Sequence, residues 1–83
     1  MNILLFAQLR DYYGASSVTF PDDELPLTVD ELRSSLAGLG SEEFRQALLE
    51  PNVFCAVNQK VVEPKYIVQA DDEVGFFPPM TGG

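Results

Sequence analysis

The chain has 83 residues, 13 acidic against 5 basic for a formal charge of −8, and 46% of it is apolar. This length allows one domain with one small core and no deep, self-contained active site. The apolar share is that of a globular chain, and the charge repels nucleic-acid phosphates while favouring partners with basic docking surfaces.

The lone cysteine, Cys55, leaves no internal disulfide to form, which fits a reducing cytoplasm. No apolar run approaches the ~20 residues of a bilayer span. Met1-Asn2-Ile3-Leu4-Leu5 lacks the basic region of a signal peptide. A single cytoplasmic domain over residues 1–83 is therefore expected, with no membrane or nucleic-acid partner.

Asn2 to Ala7 is a dense apolar run and predicts the first strand. Alternation puts Ile3, Leu5 and Ala7 on one face and Leu4 and Phe6 on the other. Both sets are apolar, so both faces call for cover, one of them from a partner. Gln8 to Tyr13 predicts one helical turn closed by Gly14. Ser16 to Phe20 predicts a second strand with Val18 and Phe20 on the same side, and Pro21-Asp22-Asp23-Glu24 a polar turn.

Thr28-Val29-Asp30-Glu31 has the form of a capping box, a threonine N-cap with glutamate three residues on. Val29, Leu32, Leu36 and Leu39 then follow helical spacing, giving an amphipathic helix whose stripe covers one sheet face and which Gly38 or Gly40 stops. Ser41 opens a second, shorter helix with Glu42 and Glu43 at its positive end, Phe44 and Leu48 on its buried side, and Pro51 barring continuation.

Val53 to Val57 predicts a buried strand, Asn58-Gln59 a turn, and Lys60 to Val62 a brief pairing segment. Tyr66-Ile67-Val68 fits either a short strand or a loop. Ala70 to Glu73 turns into a last strand, Val74 to Phe77. No regular βαβ alternation is present. The expected fold is α+β: a β-grasp, with a mixed sheet curled round one main helix and a second short helix beside it.

Few side chains offer chemistry. There is no histidine, which removes the usual nucleophile-activating base and the commonest metal ligand. Cys55 lacks a second cysteine for a zinc or redox site and sits mid-strand, as an inert core thiol does. Gly38-Leu39-Gly40 follows a helix, not a strand, and is a helix stop rather than a nucleotide loop. Asp22-Asp23-Glu24 and Asp71-Asp72-Glu73 lack the spacing of a calcium loop and suit solvated turns. No resident metal or cofactor is expected.

The chemistry-bearing stretch is the end of the chain. Val74 to Phe77 forms a strand, and Pro78-Pro79 stops it and favours stiff extended geometry. Met80-Thr81-Gly82-Gly83 follows, with no charged side chain before the terminal carboxylate. Residues 78–83 are thus expected to act as an extended tail, reaching roughly 20 Å past Phe77. Glycines let it enter a narrow pocket without Cβ clashes. A terminal carboxylate can be activated with ATP as an acyl-adenylate, which sulfur or an amine then attacks. If Val74 and Phe76 face the core, Phe77 faces out on the side of Phe6, and two exposed rings on one face suit a partner interface.

Asp72-Glu73-Val74-Gly75-Phe76-Phe77-Pro78-Pro79-Met80-Thr81-Gly82-Gly83 closely resembles the C-terminus of the small subunits of molybdopterin synthase, a family of ubiquitin-like sulfur carriers with a β-grasp fold. Leu5-Phe6-Ala7-Gln8-Leu9-Arg10, Thr28-Val29-Asp30-Glu31-Leu32-Arg33 and Ala56-Val57-Asn58-Gln59 fit in order. Ala70-Asp71 departs from the family's usual Gly-Asp turn.

The resemblance implies the following roles. An activating enzyme adenylates Gly83 using ATP and magnesium, and a sulfurtransferase system converts the adenylate to a thiocarboxylate. The tail, Pro78, Pro79, Met80, Thr81 and Gly82, inserts into a large subunit, two small chains serving two large ones. There the sulfur attacks cyclic pyranopterin monophosphate. Phe6, Arg10, Val61 and Phe77 form the interface, and no side chain of this chain is a catalyst. Rival functions are a related carrier for thiazole or cysteine synthesis, a ubiquitin-like modifier joined to lysines through Gly83, and a plain interaction module.

Overall fold

The computed structural model describes residues 1–79; the expectations for Met80, Thr81, Gly82 and Gly83 lie outside the described residues. Seven strands and three α-helices follow in the order β1 (Asn2–Leu5), α1 (Ala7–Tyr13), β2 (Ser17–Thr19), β3 (Leu27–Thr28), α2 (Val29–Ala37), α3 (Glu42–Leu48), β4 (Phe54–Val57), β5 (Lys60–Val62), β6 (Ile67–Val68) and β7 (Val74–Phe77). Asp22–Glu24 forms a short 3-10 turn where the polar turn is predicted.

The main sheet has the order β2-β1-β7-β4-β5. β7 lies at its centre, parallel to β1 and antiparallel to β4. This is the expected β-grasp, and it puts the last described strand between the two that hold it most firmly. A two-stranded ribbon, β3 with β6, stands apart from the main sheet. It settles Ile67-Val68 as a strand and adds β3, which the sequence does not signal, because two residues are too few for a period.

The core is built on one face of the sheet. Ile3, Leu5, Val18, Phe20, Cys55, Val57, Val74 and Phe76 meet Leu9 of α1, Val29, Leu32 and Leu36 of α2, and Phe44 and Leu48 of α3, all buried. Strand alternation and helical spacing thus converge on one layer, as two-layer packing requires.

Local signals hold where predicted. The Glu31 N–H donates to Thr28 Oγ1 at 3.1 Å and the Thr28 N–H to Glu31 Oε1 at 2.9 Å, so the capping box is complete. The Thr28 backbone N–H, and then the Thr28 side chain, lower the Glu31 carboxyl pKa from its ordinary value. Ser41 Oγ caps α3 by accepting the Phe44 N–H at 3.1 Å. Gly14 ends α1 at φ 90°, its N–H donating to the Arg10 carbonyl, a left-handed cap that glycine adopts without strain.

Two expectations fail. Ala7 is not a core strand residue: β1 stops at Leu5, and Ala7 is exposed at φ 51°, where the chain bends into α1. The Leu9 N–H donating to the Phe6 carbonyl at 3.1 Å closes that bend. Leu39 leaves the apolar stripe, 53% exposed, because α2 ends at Ala37 and Gly38 caps it. A helical period carries no information past the last helical residue.

The turn at Ala70-Asp71 needs no glycine. Neither residue has positive φ, and the turn is closed by the Asp72 N–H on the Gln69 carbonyl at 3.1 Å and the Gln69 N–H on Asp72 Oδ2 at 2.8 Å. An aspartate side chain accepting a local backbone N–H does here what a glycine-based turn does elsewhere.

Candidate docking face and tail exit

The second face of the main sheet carries the candidate site. With Ile3, Val74, Phe76, Cys55 and Val57 pointing into the core, alternation turns their neighbours outward. The pairings Leu4 with Gly75, Gly75 with Ala56, and Ala56 with Val61 make one row across four strands. One residue pair along, Phe54 lies opposite Phe77.

Three rings form a second row. Phe6 and Phe77 stack with centroids 4.2 Å apart and planes 6° from parallel, and Phe77 and Phe54 follow at 5.1 Å and 7°. Phe6 keeps 36% of its surface exposed and Val61 keeps 68%.

Gly75 is what lets the rings lie flat. A Cβ there would come within 3.0 Å of Phe6 Cε2 and 3.4 Å of Phe77 Cε1. A side chain there would have to push the edge of the Phe6 ring away by a few tenths of an ångström. β7 then leads directly into Pro78, which is buried, and Pro79, which is exposed. The aromatic row and the tail exit are therefore neighbours along one strand.

The structure brings Phe6, Phe77 and Val61 onto one face, as expected. Arg10 is exposed on α1, its Nε 3.7 Å from Asp11 Oδ1, and makes no cation–π contact with the ring row among the described residues. Leu4 lies on the outer face with Phe6, as its alternation predicts, whereas Phe54 and Gly75 are not singled out by sequence. A signal existed for Phe54: if Cys55 and Val57 point inward, Phe54 and Ala56 point outward. The pairing of Phe54 with Phe77 needs the cross-strand register, which no local pattern carries.

Cys55 does not belong to this face. It is buried, and desolvation pushes its thiol up to about 11 against a weaker pull from the Arg33 guanidinium. A thiol kept neutral in this way is a poor nucleophile. Arg33 itself lies over the Phe76 ring, its guanidinium carbon 5.7 Å from the centroid, on the core side of β7.

A mixed sheet with one face packed on helices, the other bare and aromatic, and the chain's end leaving from the central strand defines a ubiquitin-like β-grasp domain. The chain belongs to the ThiS family, which it matches over residues 3–83. It is 35% identical to the molybdopterin synthase sulfur carrier subunit of Haemophilus influenzae and 37% identical to that of Escherichia coli K12, each over 83 residues covering 100% of this chain and 99% of the relative. Among solved structures it resembles SAMP1 from Haloferax volcanii, with a TM-score of 0.70 at 22% identity over 99% of this chain and 97% of that one, a likeness of fold alone. The family inferred from the tail and three upstream stretches is thus borne out. No helix among the described residues is long and apolar enough to cross a membrane.

Proposed function

We propose that the chain is the sulfur-carrier small subunit of a molybdopterin synthase, working in the cytoplasm. The observation that carries this reading is the continuity of the bare ring row, Phe6–Phe77–Phe54, with the strand that leads into Pro78 and Pro79. A protein docked on that face sits where the tail leaves the body. The full-length likeness to two sulfur carrier subunits supports the same reading.

In this account the chain supplies a positioned carboxyl group and a docking face, and partners supply the catalysis. An activating enzyme uses ATP and magnesium to convert the Gly83 carboxylate to an acyl-adenylate, releasing pyrophosphate. Sulfide-level sulfur from a sulfurtransferase displaces AMP and leaves a thiocarboxylate. Phe6, Phe77, Val61 and Arg10 then seat the chain on the large subunit, with two small and two large chains in the assembly. Pro78 to Gly82 thread the tail into its pocket, and the thiocarboxylate sulfur attacks cyclic pyranopterin monophosphate. Hydrolysis returns Gly83 for recharging, and two deliveries make one dithiolene.

Intact mass of the protein isolated from cells tests this. A fraction heavier than the acid by the mass difference between sulfur and oxygen, located at Gly83, is the expected result. High-mass adducts joined through Gly83 to lysines would instead make the chain a protein modifier, and an unmodified carboxylate under all growth conditions would contradict both.

A further inference from the structure

Beside the ring row the outer face has a depression of about 220 Å³. Its floor is made by the two smallest residues of the Leu4–Gly75–Ala56–Val61 row, Gly75 and Ala56. Leu4 and the flat-lying Phe6 and Phe77 wall it on the apolar side, and Gln59 and Glu73 form its polar rim.

The backbone beneath that rim is held rigidly. The Asn58 N–H donates to the Glu73 carbonyl at 2.7 Å, the Glu73 N–H to Asn58 Oδ1 at 3.0 Å, and Asn58 Nδ2 to Asp72 Oδ1 at 3.1 Å. These bonds tie the β4–β5 turn to the start of β7 and hold the Glu73 backbone beneath the rim. The Glu73 carboxylate itself joins no ion pair among the described residues.

We infer that this depression is a socket for one large apolar side chain of the large subunit, presented next to a lysine or arginine that faces Glu73. The inference rests on the sulfur-carrier reading above and names what the partner must bring to this face. Three features argue for it. The depression is lined by the small residues Gly75 and Ala56 and walled by the apolar Leu4, Phe6 and Phe77, so an inserted side chain is desolvated on several sides, as interface anchors are. The backbone beneath the rim is preorganised by cross-strand hydrogen bonds, so ordering it on binding costs little. The one charge at the rim is an unpaired carboxylate on a chain of formal charge −8, which calls for a cation opposite it. Gly75 thereby shapes the depression by letting the Phe6 and Phe77 rings lie close to the sheet and wall it.

Calorimetric titration of the large subunit with the wild type and with Gly75→Val, Ala56→Met and Glu73→Gln, alongside thermal unfolding of each, tests the socket. Gly75→Val and Ala56→Met fill it from two different strands, so Ala56→Met reads it independently if Gly75→Val disturbs Phe6 or the fold. Both are expected to weaken binding by about tenfold or more, as loss of an anchor pocket does, while unfolding stays cooperative. Glu73→Gln is expected to weaken binding at low salt and to converge on the wild type as salt screens the pair. If the wild type binds and the folded filling variants bind within about threefold of it, less than half the free energy of a tenfold change, the socket is overturned and the sulfur-carrier reading stands. If the wild type itself does not bind the large subunit, that reading fails and the socket with it.

Discussion

Phe76 and Phe77 are adjacent in sequence and belong to different halves of the molecule. Phe76 points inward, fully buried beneath Arg33 and among the core residues of α2 and α3. Phe77 points outward, half-buried, with rings stacked on both sides of it. The first secures the fold, and the second is available to a partner. A strand can serve both ends because its side chains alternate, and because β7 sits at the centre of the sheet, where backbone pairing on both sides holds it in register.

The comparison breaks first, and hardest, at Phe76. Phe76→Ala should cost about 3–5 kcal/mol of folding stability, as loss of a fully buried ring does, measured by denaturant unfolding. A cost below that of Phe77→Ala would mean the two faces are assigned the wrong way round.

A second test of the inner face uses Cys55. With its thiol at about 11, the thiolate fraction near neutral pH is about 300-fold below that of a free cysteine of pKa about 8.5. Alkylation of the native protein should be slow and should become fast in denaturant. The sign of the pH effect follows from the same shift. The folded state keeps the thiol protonated, so its stabilising contribution is complete below the unfolded pKa of about 8.5 and is lost as pH rises towards 11. Unfolding midpoints that rise over that alkaline range in the wild type, relative to Cys55→Ala, would contradict the burial.

On the outer face, Phe77→Ala should weaken large-subunit binding by about 2 kcal/mol or more, the range of a buried aromatic anchor. It should leave folding stability changed less than Phe76→Ala does. Equal affinity of variant and wild type would remove the ring row from the interface. The smallest effect is expected at Thr28→Ala, which removes one half of the capping box and should cost about 1 kcal/mol of stability with binding unchanged. A change in affinity there would show that α2 takes part in docking.

Much of this was legible in the sequence because it depends on residues close together along the chain. Thr28 with Glu31, Ser41 before Phe44, Gly14 after Tyr13 and the alternation of Val74 to Phe77 each act within a few positions. What was not legible depends on distance. The β3–β6 ribbon joins Leu27-Thr28 to Ile67-Val68 across the chain, and neither segment is long enough to announce itself. Phe54 joins the ring row only because β4 pairs with β7 in one particular register. Ala7 and Leu39 were misplaced for the opposite reason: a local period was extended beyond the point where the chain turns. Gly75 looks in sequence like a weak spot in a strand, and only the stacked rings above it give it a purpose.

The central claim is that the outer face brings the Gly83 carboxyl group to its site of reaction, and removing Gly83 tests it most directly. The variant keeps both faces of the sheet but moves the terminal carboxylate back by one residue, about 3.3–3.6 Å along an extended chain, where a misplacement of about 1 Å already costs 10²-fold. The reaction is reconstituted with the activating enzyme, ATP, magnesium, a sulfur source, the large subunit and cyclic pyranopterin monophosphate, and dithiolene product is followed by fluorescence after oxidation. The account predicts a folded variant that still binds the large subunit and forms no product. Product formed at the wild-type rate would contradict it.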